Sequence, residues 1–203
     1  LADQMFGLIE EAIAAEQGPA QVQFGSGDGY FITARGNAPV DYEIQLLRVT
    51  RNGNPVAMLF SHGTHPAQAS RSLIDAGHPG YAMEEIEATF PGALAMYSDA
   101  SGGNQFPRQP TDWNIRVAAA RETGATAYDA LLEERARELG HELAEAVIGI
   151  SNGSLEDVTG PITSSIEVVG LPLAPPISRE DALKLAERFP PDVGFVHYPH
   201  EHR

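Results

Sequence analysis

The chain contains no cysteine, which excludes disulfides and thiolate chemistry but leaves the compartment open. It is also poor in positive charge. Its 13 Lys and Arg face 28 Asp and Glu, a formal charge of -15, and no basic cluster interrupts the acidic excess. Nucleic acid and anionic membrane surfaces call for clustered cations, so neither is expected as a partner. No apolar run approaches the ~20 residues that cross a bilayer, and no signal peptide is visible. The first residue is Leu1 rather than methionine, and the 203 residues read as an interior piece of a larger catalytic domain. That length allows one domain, or one and a fraction.

What the sequence does contain is an alternation of strand-like and helix-like runs. Residues 3–16 place Met5, Leu8, Ile9, Ala12 and Ile13 on one helical face. Strands are expected near Val22, Tyr30, Leu47, Met58 and Leu94, and Asn52-Gly53 between two of them is a hairpin signal. The glycines of Gly25-Ser26-Gly27-Asp28-Gly29 precede no lysine and open no helix, so they read as a bulge or bend rather than a phosphate loop. Residues 108–123, with Pro110 and Trp113, read as a long loop with at most a helical turn. Trp113 is either packing or a contact for an acyl group. The clearest helix is 127–150, with Glu133 and Arg137 as an i,i+4 pair and His141 on the polar side. A strand over 162–169 and a helix from Ser178 to about Arg188 complete the pattern. The expected fold is α/β, a mixed sheet with flanking helices in a single domain.

The stretch Phe60-Ser61-His62-Gly63-Thr64-His65-Pro66 ends an apolar strand with two imidazoles. In a continued strand they point to opposite faces, so His62 and His65 share a metal only if Gly63 breaks the pleat. One of the two is expected as a ligand. A second His-Pro turn, Gly77-His78-Pro79-Gly80-Tyr81, opens an amphipathic stretch to Phe90; His78 is either a loop residue or a further ligand. The run 93–97 then leads into the glycine-rich loop 98–107. Strand, His-Pro loop, helix, strand and glycine-rich loop form one crossover unit with both loops at the same end. Asp99 is placed either to orient a ligating imidazole or to cap that loop. The histidines of 196–203 lie at a chain end, a poor place to preorganise ligands.

In order and spacing, Thr64-His65-Pro66, Gly77-His78-Pro79-Gly80-Tyr81, Glu87, Leu94 to Tyr97 and Gly103-Asn104-Gln105-Phe106-Pro107 resemble the neutral/alkaline non-lysosomal ceramidase family. The resemblance covers 3–107 best. It implies a zinc amidase that cleaves an N-acyl bond, with His65 as a zinc ligand, while His62 and His78 stay further candidates on the reading of the residues themselves. It also implies that Gly103 and Asn104 lie in the catalytic loop, that backbone donors of the glycines line the site, and that Arg35 lies near the substrate. A small-molecule or lipid N-acyl compound is the implied substrate, and a secreted or periplasmic location the implied compartment. Three positions depart from the family pattern. Gly77 or His78 stands where the turn has Asp, Asn104 where the loop has Asp, and Phe106 where it has serine. Ceramide is therefore in question as substrate, although a zinc hydrolase that activates water would not need that serine. The alternative is a non-catalytic or altered relative that keeps the scaffold without a complete metal site.

Overall fold

The computed structural model describes residues 2–16, 18–36, 38–66, 74–170 and 176–188. The chain divides into two compact units, Leu1–Pro161 and Ile162–Arg203. In the first unit the elements are α1 (Ala2–Ala14), β1 (Gln21–Asp28), β2 (Ile32–Ala34), β3 (Glu43–Arg51), β4 (Asn54–His62), α2 (Gly77–Thr89), β5 (Leu94–Asp99), β6 (Gln105–Pro107), α3 (Trp113–Thr123), α4 (Ala125–Asn152) and β7 (Glu156–Asp157). The second unit holds α5 (Arg179–Arg188). Ser178 caps it, its hydroxyl accepting the Asp181 N–H at 3.0 Å.

A five-stranded sheet runs in the order β5-β4-β3-β1-β7, and β2 pairs with β6 in a separate ribbon. The β3–β4 hairpin turns at Asn52 and Gly53, both with positive φ, as the Asn-Gly signal requires. Among the described strands only β4 and β5 run parallel, and α2 supplies the crossover between them. The mixed sheet with flanking helices is the architecture expected from the sequence.

Alternation decides which side of the sheet is core. Ile44 and Leu46 of β3, Met58 and Phe60 of β4 and Ala95 of β5 meet Ala82 and Ile86 of α2 and Leu139, Leu143, Ala144 and Val147 of α4. Burial of each large side chain stabilises the unit by ~1.5–3 kcal/mol. His62 continues the β4 row Met58, Phe60 and is therefore carried into the core by the same period of two. Leu47, Leu59 and Met96 face the other way and are more than one-third exposed.

Three expectations are corrected. Residues 113–123 are a helix rather than a loop, because the alanine-rich run after Asp112 propagates once it packs on α4, where Arg116 pairs with Glu134 at 3.0 Å. Residues 162–169 form no strand; Ile162, Ile166 and Val168 are almost fully exposed, and alternation without a partner ladder does not make a strand. Nor is there a bulge in β1, whose register with β3 is continuous from Gln21 to Asp28. Gly25 and Gly27 serve close approach instead. A Cβ on Gly27 would sit 2.9 Å from Ile150 of α4, and one on Gly25 would strike Leu155. The C-terminal histidines His197, His200 and His202 lie outside the described residues.

Candidate functional site

Two loops leave the same end of the parallel pair and are stitched together by backbone. The register sets His62 beside Asp99, so β4 and β5 end level. Ala100 then donates its N–H to the His62 carbonyl at 3.3 Å, and the His65 N–H reaches the Gln105 carbonyl at 3.2 Å. The Tyr97 hydroxyl also donates to the His62 carbonyl, at 2.8 Å. Burial, then the neighbouring Asp99 carboxylate, push the Tyr97 phenol well above its usual value, so it remains a donor.

Gln105 ties the third side. It is buried, accepts the Asp41 N–H at 2.7 Å through Oε1 and donates to the Ser101 carbonyl at 2.9 Å through Nε2. A Cβ on Gly63 would lie 2.7 Å from Gln105 Nε2 and push that side chain off its bonds, and a Cβ on Gly102 would press on the Gly63 carbonyl at 3.3 Å, so glycine suits both positions. These contacts bring the β4 exit and residues 99–105 together as the crossover pattern implies.

The three candidate imidazoles occupy different settings. The His62 ring is fully buried, 4.8 Å from the Phe31 ring, with Nδ1 2.5 Å from the Thr64 hydroxyl. Its Nε2 lies beside the Gly29 backbone with no partner in hydrogen-bond geometry. His78 is not a loop residue. Asp75 accepts the Gly77 N–H at 2.7 Å, Gly77 takes φ +55°, and α2 starts there, so His78 falls in the buried first turn with Pro79. Both its ring nitrogens are buried and unpartnered. Burial lowers the pKa of each ring from 6.5 to about 4; Gly29 and Asp41 partly offset this for His62, while His62 and Arg135 add to it for His78. Both rings are neutral at pH 7, the state in which imidazole binds metal.

His65 is exposed, and its ring stands 6.0 Å from Phe106, edge-on at 60°. Arg35, just past the end of β2, lies over the same ring, its Cζ 5.1 Å from the centroid, while its backbone N–H is donated to the Asn104 carbonyl at 2.9 Å. Asn104 and Gly103 are exposed in the loop, and Asp99 is exposed at the β5 end. The partner of the His62 Nδ1 is Thr64, not a carboxylate. Trp113 sits at the start of α3, with Arg116 5.9 Å from its ring centroid. Sequence reasoning passed over Thr64, Gln105 and Tyr97. Thr64 stands between the two histidines it separates, whereas nothing local marks Gln105 or Tyr97, whose roles arise from pairing across the loops.

Two solved structures share this arrangement of strands and helices. Neutral ceramidase from Pseudomonas aeruginosa matches with a TM-score of 0.59 and 20% identity over 75% of this chain and 26% of its own. A ceramidase complexed with C2 matches with a TM-score of 0.57 and 17% identity over 74% and 25%. The chain has a neutral ceramidase-like fold. It spans about a quarter of the length of those ceramidase structures. No family model and no curated protein matches the sequence. No described helix is long and apolar enough to cross a membrane.

A zinc ion is implied by the resemblance to ceramidases, and the donors can be tested against it. Neutral, unpartnered imidazole nitrogens on His62 and His78 suit zinc chemically. Their number does not suffice. Catalytic zinc takes three protein ligands, and among the described residues no group of three or more His, Asp or Glu side chains is arranged to hold a metal. The described residues therefore do not fit a complete zinc site.

Proposed function

We propose that this chain belongs to a hydrolase of amide (N-acyl) bonds and forms one wall of its site from the β4 exit and residues 99–107. The observation that carries the reading is the stitching of these loops at the carboxyl ends of parallel strands, where α/β sheets place ligands, within a ceramidase-like fold. The substrate is a small-molecule or lipid N-acyl compound. Ceramide hydrolysis, the activity in the neighbours' names, is taken here only as far as N-acyl cleavage, because Phe106 has no hydroxyl to act as nucleophile. The Gly102 N–H is spent on the Ala100 carbonyl at 2.7 Å, so the exposed backbone N–H of Gly103 is the group on this wall suited to a developing oxyanion. Zinc is proposed as cofactor of a completed site only. Of the three imidazoles, His78 has both ring nitrogens unpartnered, the buried His62 has only Nε2 without a bond in good geometry, and His65 is exposed toward the open wall; all three stay candidate donors of a completed site.

The second reading is an altered relative that keeps the scaffold without a complete metal site. The lack of a three-ligand cluster among the described residues favours it for the chain by itself. The purified 203-residue chain is expected to carry little zinc by elemental analysis and to show no chelator-sensitive amidase activity. Stoichiometric tight zinc with turnover would overturn the incomplete-site reading. In the protein translated from the complete reading frame, His62→Gln is expected to remove zinc and amidase activity together. Full zinc and full activity in that variant would rule His62 out as a zinc donor, and absence of any amidase activity in the zinc-loaded parent protein would refute the hydrolase assignment.

A further inference from the structure

Phe106 is the departure from the family pattern with the clearest geometric consequence. It lies in β6, where the register opposite β2 is Thr33 to Phe106 and Ala34 to Gln105, and the Arg35 N–H to Asn104 bond extends that ladder by one step. Arg35 is therefore delivered to the ring of Phe106, and the His65 to Gln105 backbone bond delivers the second imidazole to the ring edge. Three side chains from three segments thus meet at one place on the proposed wall.

The Arg35 guanidinium has no carboxylate partner among the described residues, and it shares with Arg121 over Tyr128 the setting of a cation on an aromatic face. Arg48 is held by Gln23 and Ser151, and Arg116, Arg135, Arg137 and Lys184 are paired with carboxylates. Arg35 is exposed, and its contact is the aromatic face. A guanidinium lying over a ring keeps its N–H fork free along its edge, and that fork matches a carboxylate bidentately. The ring leaves apolar surface beside the charge.

Resting on the amide-hydrolase reading, we propose that the substrate is an N-acyl amino acid or a similar N-acyl compound bearing a carboxylate, held by Arg35 with Phe106 as its positioning platform. Ceramide offers hydroxyls and no anion, so it would leave the fork unsatisfied. The serine-to-phenylalanine departure is then a change of specificity as well as the loss of a hydroxyl. In the reaction the amide C–N bond breaks, a C–O bond from water forms, and the protons of that water pass to the departing amine and the solvent, giving a carboxylate and an amino acid.

Binding tests this without turnover. Calorimetry on the 203-residue chain would compare N-hexanoylglycine with its neutral amide, N-hexanoylglycinamide. The carboxylate is expected to bind ~10-fold more tightly, a difference of ~1.4 kcal/mol, with the margin shrinking as salt rises. Arg35→Gln should abolish the preference, Arg35→Lys should retain part of it, and Phe106→Ser should weaken both ligands. Equal binding of the two probes, or a preference that survives Arg35→Gln, overturns the carboxylate inference and leaves N-acyl recognition standing. Failure of both probes to bind overturns both.

Discussion

His62 and His65 stand three residues apart at one strand exit and end in opposite environments. His62 keeps the alternation of β4 and is buried against Phe31 and Gly29, whereas Gly63 and the hydrogen bond to Gln105 turn the chain so that His65 emerges beside Phe106. A strand period followed for one more residue makes a neutral, sealed imidazole; the same period broken by a glycine makes a solvated one. Histidine at the end of a strand therefore says nothing about its chemistry until the pleat has been followed past it.

The largest expected effect sharpens that contrast through acid. His62 and His78 have folded pKa values lowered from 6.5 to about 4, chiefly by burial. The unfolded chain then binds more protons than the folded one between those values. Stability from the two neutral rings is fully present above about pH 6.5 and is lost as pH falls through about 4. Each ring is worth ~3 kcal/mol over that window, and the pair less than twice that, because His62 itself contributes to the shift of His78. Urea unfolding of the metal-free chain should lose stability steeply from pH 6.5 to 4. His62→Gln combined with His78→Gln should flatten the slope. An unchanged slope in that double variant would show that the rings are not sealed.

A smaller loss is expected where α2 and α4 touch. A Cβ on Gly140 would meet Tyr81 Cβ at 2.5 Å and the His78 carbonyl at 2.8 Å, and both neighbours are held by the helix backbone. Gly140→Val should destabilise the unit by ~1–3 kcal/mol through overpacking, read as a lower midpoint in urea. It should also raise the pKa of His78 toward 6.5, because pushing the first turn of α2 outward admits water to the ring. A midpoint shift with no change in that pKa would place the strain elsewhere.

Much of the framework was legible because the signals are local. The Asn52-Gly53 hairpin, the β4–α2–β5 crossover and the long helix with its Glu133 and Arg137 pair, 2.8 Å apart, all follow from turn chemistry and periodicity. The helix of residues 113–123 was hidden because Pro110 and mixed polarity outweighed an alanine-rich run that gains its stability by docking on α4. The first turn of α2 was hidden for a related reason. Gly77-His78-Pro79 has turn composition, and only the Asp75 carboxylate on the Gly77 N–H and the α4 surface around Gly140 make it a buried helix start. For the site, the meeting of the β4 exit with residues 99–105 could be read from the crossover. The difference between His62 and His65 as donors could not, since it depends on Gln105, Thr64 and Phe31, which come from other segments or carry no local mark.

The smallest expected effect is the other half of the contrast. His65→Ala removes an exposed ring whose packing is one edge-on contact with Phe106, so its cost should stay within ~0.5 kcal/mol, against a buried His62 whose removal leaves a cavity beside Phe31 and an unpaired Thr64 hydroxyl. Thermal melts of His65→Ala and His62→Ala at pH 7.5 compare the two positions under one condition. A His65→Ala midpoint near the parent, with a clearly lower one for His62→Ala, keeps the two imidazoles in their separate roles. A comparable drop in both would mean that the strand exit is a single packed unit, with His65 serving the fold rather than the open wall beside Arg35.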